Sequence, residues 1–170
     1  MKFLKLLLIV VVLTLPSAIA VAQSTPYSTD VFSATFNGPV SIEAASRNLQ
    51  NTSTTTYFNS ANNKVSEAVC LRTVDHDIDV NLASLDFYAN GAASKGFVQD
   101  ERQYRNFNGH IGVYVDLHKI EVDKSVIRRR SWYIIVNSRT VIIAFAEAPA
   151  AQDEGGLPDW TTLTNSLVIK

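Results

Sequence analysis

Three carboxylates at alternate positions are the clearest candidates for chemistry in this sequence. Asp75, Asp77 and Asp79 have the spacing with which an EF-hand calcium loop begins, and Asp86 falls where its last ligand would lie. The match is incomplete, because Val80 stands where such a loop requires glycine for its sharp turn. We therefore interpret the segment as a solvated turn whose charges favour the N-terminus of a following helix. A metal-dependent module or enzyme that uses Asp75, Asp77 and Asp79 is the alternative.

A second candidate is the run of positive charge at residues 128–130. On a strand, Arg128 and Arg130 project from one face and Arg129 from the other, so the run is not a three-arginine clamp. With Lys124 nearby, Arg128 and Arg130 form what we term the basic stripe, which could bind an acidic partner. The alternative is that these arginines pair with carboxylates on neighbouring strands. The candidates for such pairing are Asp100, Glu101 and Glu121.

The remaining reactive residue types form no recognisable site. His110 and His118 share strand parity, but eight residues of extended chain place them about 26 Å apart, too far for a shared metal. Cys70 lies in an alternating apolar segment, where a free cysteine usually behaves as a small buried hydrophobe. The sequence has no Gly-x-Ser-x-Gly elbow, no His-Glu-x-x-His and no phosphate-binding glycine loop. We assign no catalytic residue and expect no cofactor.

The first 22 residues have the organisation of a secretory signal peptide. Lys2 and Lys5 form a basic start, residues 6–15 are apolar except for Thr14, and small residues precede Ala20 and Ala22. The apolar run is shorter than the roughly 20 residues that a membrane span needs, and no later segment supplies one. These features predict a secreted or periplasmic protein with no stable membrane anchor once the signal is cleaved.

Processing is expected after Ala20 or Ala22, because both end an Ala-x-Ala motif of the kind that signal peptidase cleaves. Mass spectrometry of the exported protein checks the site. An intact Met1 terminus retained in the membrane would contradict the prediction.

The rest of the 170-residue chain is long enough for one domain with its own core. We predict a flexible lead-in at residues 23–30 and a single domain at residues 31–170. Without Lys2 and Lys5 the acidic residues outnumber the basic ones, so nucleic acid is not an expected partner. Because Cys70 is the only cysteine, no internal disulfide can form and the domain must depend on packing.

The N-terminal half predicts a hairpin followed by a helix. Phe32 and Phe36 lie in a first strand, a turn follows at residues 37–39, and Val40 and Ile42 resume extended structure as its partner. A helix is predicted between about residues 80 and 95. Its inward positions are Leu82, Leu85 and Ala89, and Asp79 and Asn81 are the alternative N-caps.

The C-terminal half predicts a long antiparallel meander closed by a helix. Residues 106–109 give a strong hairpin signal, because Asn-Gly tolerates positive φ angles. The next strand changes its apolar parity at Ile120 and Val122, which predicts a bulge near residues 118–119. A final helix at residues 158–167 should pack its apolar side on the sheet, before a last strand at residues 168–169. The predicted shared core is Trp132, Ile134, Ile143, Phe145 and Leu163.

These elements define an α+β protein, a twisted antiparallel sheet in meander order with one inserted helix and one C-terminal helix. Their order and the closing pattern Trp160-x-x-Leu163-x-x-Ser166-Leu167-x-Ile169 resemble the PsbP-like fold superfamily. That superfamily includes the extrinsic PsbP subunit of photosystem II and exported bacterial proteins of unknown role. The resemblance implies a binding or assembly protein rather than an enzyme, and it places no site residue on this chain.

Two classes of function follow from the sequence. The first is an exported non-enzymatic binding domain whose partner is a protein or another ligand of the exported compartment. The second is the metal-dependent module or enzyme built on the segment from Asp75 to Asp79.

Overall fold

The computed structural model describes residues 24–47, 52–59, 66–91, 95–150 and 153–170. The predicted signal peptide lies outside these residues. The strands are β1 Thr25–Ser28, β2 Phe32–Phe36, β3 Ser41–Arg47, β4 Thr52–Asn59, β5 Ser66–Thr73, β6 Val98–Phe107, β7 His110–Ile120, β8 Val126–Asn137, β9 Thr140–Pro149 and β10 Val168–Ile169. The helices are α1 Leu82–Asn90 and α2 Asp153–Ser166.

The described strands form two antiparallel sheets. The large sheet has seven strands in the order β3-β4-β5-β9-β8-β7-β6, and the small sheet has three in the order β1-β2-β10. One helix is inserted after β5 and the other precedes β10. The α+β class, the inserted helix and the C-terminal helix are therefore as the sequence predicted.

Each face of the large sheet has its own core. The front face, marked by Tyr114, Trp132 and Ile142, is covered by the small sheet and α2. The back face, marked by Val113 and Tyr133, is covered by α1, which packs against β7 and β8. Burial on both faces explains why β9 is apolar at successive positions from Val141 to Ala146.

The predicted first hairpin does not form. The segment from Phe32 to Phe36 is a strand as expected, but it pairs with β1 and β10, whereas β3 pairs with β4 in the other sheet. The corner between them contains Gly38, whose φ of 144° is one that L side chains rarely adopt. Asn59 Nδ2 donates to the Asn37 carbonyl at 2.5 Å and holds this corner. The turn residues were recognised, but they redirect the chain to a second sheet.

Order also begins earlier than predicted. Thr25–Ser28, inside the expected flexible lead-in, pairs along its whole length with β2. The Tyr27 ring lies 5.2 Å from that of Tyr57, which in turn packs on Phe32. A polar segment of four residues has no strand periodicity to detect, and tertiary packing supplies its order.

The predicted bulge near residues 118–119 is wrong. The register shift lies on the neighbouring strand, between Gln99 and Glu101 of β6. Strand β7 is paired on both sides, whereas β6 is an edge strand that can bulge without breaking a second ladder. Ile120 and Val122 do not turn inward and are 66% and 103% exposed.

The predicted core set was right for three residues and wrong for two. Trp132, Ile134 and Leu163 lie together in the front-face core. The pairing of Ile134 with Ile142 shows that Ile143, and Phe145 with it, belongs to the back face. Because β9 is apolar at both parities, the sequence could not show which set faces α2. Trp160 and Leu163 of that helix are buried, as predicted, and so is Leu167, which directly follows its last residue.

Candidate functional site

The acidic segment lies at the end of the large sheet where the β8–β9 hairpin turns. The Val74 amide donates to the Arg139 carbonyl at 3.0 Å, and the Ile78 amide donates to the Ser138 carbonyl at 2.6 Å. Ile78 is buried between these contacts, while Asp77 and Asp79 stay exposed. The segment is therefore a strap that ties the hairpin tip to the start of α1.

The carboxylates of this strap have different contacts. Asp75 Oδ1 lies 3.2 Å from His76 Nδ1, and Asp77 Oδ1 accepts from Arg139 Nε at 2.9 Å. Among the described residues, no three or more His, Cys, Asp or Glu side chains are grouped so as to hold a metal ion. The structure thus does not bring Asp75, Asp77 and Asp79 together as the ligands of one cation.

Asp86, the proposed last calcium ligand, anchors α1 to the edge strand. It accepts from Arg102 at 2.6 Å and from the Tyr104 hydroxyl at 3.1 Å, and Arg102 also donates to Asn90 one turn later. These contacts fix the direction in which the helix crosses the sheet. The role of Asp86 is therefore structural.

The start of α1 follows the sequence prediction in part. Of the two predicted caps, Asn81 is the one used, and its side chain accepts from the Ser84 amide at 2.9 Å. Leu85 and Ala89 are buried as expected, but Leu82 is 49% exposed. Leu82 is one turn before Asp86, on the side of the helix that overhangs the edge of the sheet.

The strap and α1 together enclose a shallow depression of about 390 Å³. We term it the α1 groove, lined by His76, Asp77, Asp79, Ser84 and Phe87 among others. Phe87 is 75% exposed, which is unusual for a large aromatic side chain on an otherwise well-anchored helix. The sequence pointed to the acidic part of this groove and missed Phe87, whose signal was an aromatic residue off the inward face of the helix.

The basic stripe has a different environment from the one predicted. Arg128 and Arg130 do share a face, and Asp116 lies between them: Arg128 donates to both of its oxygens, at 3.0 and 2.7 Å, and Arg130 Nε lies 3.8 Å from Oδ2. Lys124 is not on the strand but in the turn that precedes it, between β7 and β8, with a φ of 67°. The two arginines of the basic stripe thus bind a carboxylate of the domain itself.

The arginines do pair with a carboxylate on a neighbouring strand, but not with one of those predicted. The three predicted carboxylates have other partners. Asp100 lies 2.8 Å from His118 and Glu121 lies 2.8 Å from Lys119, while Glu101 accepts from Gln103. Asp116 was missed because it lies on the face of β7 opposite to the apolar residues Val113, Val115 and Leu117. Both faces are in fact buried, and the Asp116 side chain is 4% exposed.

Tyr114 completes this front-face cluster. Its hydroxyl lies 3.4 Å from Asp116 Oδ2. Burial raises the pKa of Tyr114 far above its usual value, and the negative charge of Asp116 adds to the shift. The tyrosine therefore stays neutral at physiological pH and stabilises the carboxylate as a hydrogen-bond donor.

Arg129 projects from the back face, as its parity predicted. Its guanidinium lies 4.3 Å from the centre of the Phe145 ring and 3.4 Å from Glu147. Both partners are on β9, so this arginine covers the half-buried side chain of Phe145.

Comparison with known proteins identifies the fold. No family model matches the chain, and no curated protein matches it in sequence. Cyanobacterial PsbP from Synechocystis sp. PCC 6803 superimposes with a TM-score of 0.60 at 9% identity, over 93% of this chain and 99% of that one. LpqN of Mycobacterium tuberculosis, described as involved in cell envelope biogenesis, gives 0.51 at 14% identity, over 87% and 91%. At this identity the likeness shows a PsbP-like fold, as the sequence suggested, and no more.

Proposed function

We propose that this PsbP-like domain is an exported, non-enzymatic binding domain that contacts its partner through the α1 groove. The observation that carries the proposal is Phe87, 75% exposed beside the carboxylates of the strap. An aromatic ring held on a fixed helix offers a large apolar area with little conformational freedom to lose on binding. Such rings are typical of the few side chains that supply most of the affinity of an interface.

Several independent features support export. The N-terminal pattern is that of a signal peptide, with a basic start, an apolar run and Ala-x-Ala motifs. The similar LpqN is described as involved in cell envelope biogenesis. Within the described residues, no helix has the length and apolar character that crossing a bilayer requires.

The charges of the groove indicate the chemistry of the partner. Asp75, Asp77 and Asp79 line or border it, and Arg139 is the cation bound to Asp77. A protein segment with a lysine or arginine next to an apolar side chain would meet both the carboxylates and Phe87. Its binding should weaken as salt rises, because exposed charges are screened over about 8 Å at physiological ionic strength.

Exposure favours binding over catalysis at this groove. The side chains of His76 and Asp77 are 68% and 73% exposed. Catalytic acids and bases are usually buried enough for their pKa values to shift towards the working pH. This is why we place the metal-dependent or enzymatic alternative second.

Replacing Phe87 by serine is expected to reduce partner affinity more than tenfold, because loss of an interface anchor costs about 2 kcal/mol or more. The free energy of unfolding should change by less than about 0.5 kcal/mol, since the ring is mostly in water. Capture of partners from a periplasmic or extracellular extract, quantified for wild type and variant, measures the first effect. Urea denaturation measures the second.

Val122→Ser is the matched control. Val122 is fully exposed in the turn after β7, at the opposite end of the large sheet. Its replacement should leave capture unchanged. Normal capture by Phe87→Ser together with loss in Val122→Ser would move the contact surface to that end and reject the groove.

A further inference from the structure

The outer edge of β6 is open to solvent. This strand is the last of the large sheet, and no strand among those described pairs with its outer side. Every residue from Val98 to Asn106 is exposed except Arg102, which is half-buried. With ten residues β6 is long for an edge strand, and an open edge presents backbone N–H and C=O groups to any strand that approaches it. The outer side of β6 is therefore a candidate pairing surface.

Two features define the segment of β6 that can pair. The bulge between Gln99 and Glu101 interrupts the strand at one end, and the two-residue turn after Phe107 ends it at the other. The hydrogen bonds of an antiparallel strand point alternately to its two sides. Phe107 closes a two-residue hairpin, so its backbone groups point inward to β7. The outward N–H and C=O groups are then those of Arg102, Tyr104 and Asn106.

The front face of this segment carries two opposite charges that have no ionic partner among the described residues. Glu101 and Arg105 share the face with Gln103, which lies opposite Tyr114 of β7. Glu101 accepts a hydrogen bond from Gln103, and the Arg105 guanidinium lies 4.9 Å from the centre of the Phe107 ring. Four residues of extended chain separate the two charges by about 13 Å, so they cannot pair with each other.

We propose that a second copy of this chain pairs with the outer edge of β6, antiparallel and about a two-fold axis at Gln103. An axis perpendicular to the sheet keeps both front faces on one side and joins the two seven-stranded sheets into one. Glu101 of each copy then lies opposite Arg105 of the other, so each charge meets an opposite one. On the back face, Arg102 lies opposite Tyr104, and both have outward backbone groups to exchange.

The same charges disfavour the neighbouring registers. Edge strands normally use charged side chains to prevent pairing with a second edge. Moving the axis by one residue to Arg102 places that arginine opposite itself, which is unfavourable. Moving it to Tyr104 places Glu101 opposite Phe107 and forms no ion pair. Of these three registers, the axis at Gln103 is the one that brings the opposite charges together. This edge is distinct from the α1 groove, and the proposal does not depend on the function proposed for that groove.

Self-association of the mature protein is the first test. One pair of strands buries less surface than a permanent dimer usually does, so we expect a monomer–dimer equilibrium. In sedimentation equilibrium the mean mass should rise with protein concentration towards twice that of the monomer. High salt should weaken the association, because the ion pairs are exposed. A mass that stays monomeric at the highest soluble concentration would overturn the proposal.

Charge reversal tests the contact. Glu101→Arg and Arg105→Glu should each weaken association about tenfold or more, because like charges then lie opposite one another. An equimolar mixture of the two variants should associate as wild type does, since a chain with two arginines then meets a chain with two glutamates. A mixture that stays monomeric would reject the pairing.

The opposite edge of the large sheet supplies the matched control. Glu43 is an exposed carboxylate on β3, the other edge strand. Glu43→Arg should leave the association unchanged. Loss of association in this variant, with normal association of Glu101→Arg, would place the contact at β3 and overturn the proposal.

A disulfide tests the register directly. In the proposed dimer the Cα atoms of the two Gln103 residues form a non-hydrogen-bonded pair about 4.5 Å apart, which suits a disulfide. Because Cys70 is the only cysteine, Gln103→Cys in a Cys70→Ser background should crosslink rapidly under mild oxidation. Gln99→Cys should not, since eight residues of extended chain place it about 26 Å from its own copy. Crosslinking that is as fast at residue 99 as at residue 103 would reject the axis at Gln103.

Discussion

Replacing Ile142 by alanine is expected to lower the free energy of unfolding by about 2–5 kcal/mol. The Ile142 side chain is fully buried, pairs across the strands with Ile134 and lies in the same core as Leu163 of α2. Truncation removes apolar contacts on both the sheet and the helix side and leaves a cavity that a paired strand cannot close. Urea denaturation of wild type and variant measures the loss.

The next residue along the strand supplies the control. Ile143 is half-buried and faces α1 on the other side of the sheet. Ile143→Ala should therefore cost clearly less than Ile142→Ala. The reverse order would mean that β9 is shifted by one residue, because such a slip exchanges the two faces of a strand.

Elements with strong local signals were predictable from the sequence. The turn at residues 106–109 forms as expected, and Asn108 and Gly109 have the positive φ angles of 52° and 94° that the Asn-Gly pair tolerates. The inward positions of α2 followed from helical spacing alone. In both cases the information lies within a few residues and needs no knowledge of the tertiary structure.

Long-range pairing was not predictable. The small sheet joins β1, β2 and β10, of which the first is polar and the last has two residues. None of these segments has enough periodicity to reveal its partner. The assignment of β9 residues to the two faces was wrong for a related reason. A strand that is apolar on both faces does not show in its sequence which face packs against which helix.

The sequence predicted where a candidate site lies better than it predicted which side chains surround it. The acidic strap was recognised from its spacing, whereas exposed Phe87, which gives the α1 groove its apolar character, was not. The carboxylate that holds Arg128 and Arg130 was not identified, because Asp116 comes next to them only when β7 pairs with β8. The chemistry at each site is thus set by contacts between distant segments.

Asp116→Ala is expected to destabilise the domain by about 3–5 kcal/mol, the usual effect of breaking a buried ion pair by removing one partner. The carboxylate is 4% exposed and accepts two hydrogen bonds from Arg128, with Arg130 close by. Its loss leaves two partly desolvated guanidinium groups side by side on the front face of β8. Thermal and urea denaturation of the variant measure the effect.

Two further variants distinguish the cost of leaving a charge buried without a partner from the cost of losing an ion pair. Asp77→Ala removes an ion pair whose partners are 58% and 73% exposed, and should cost no more than about 1 kcal/mol. Combining Asp116→Leu with Arg128→Met and Arg130→Met should restore much of the stability, because the apolar cluster then has no charge to desolvate. If Asp116→Ala proved as mild as Asp77→Ala, the carboxylate would not be holding the arginines. The basic stripe would then be available for the acidic partner that its sequence suggests.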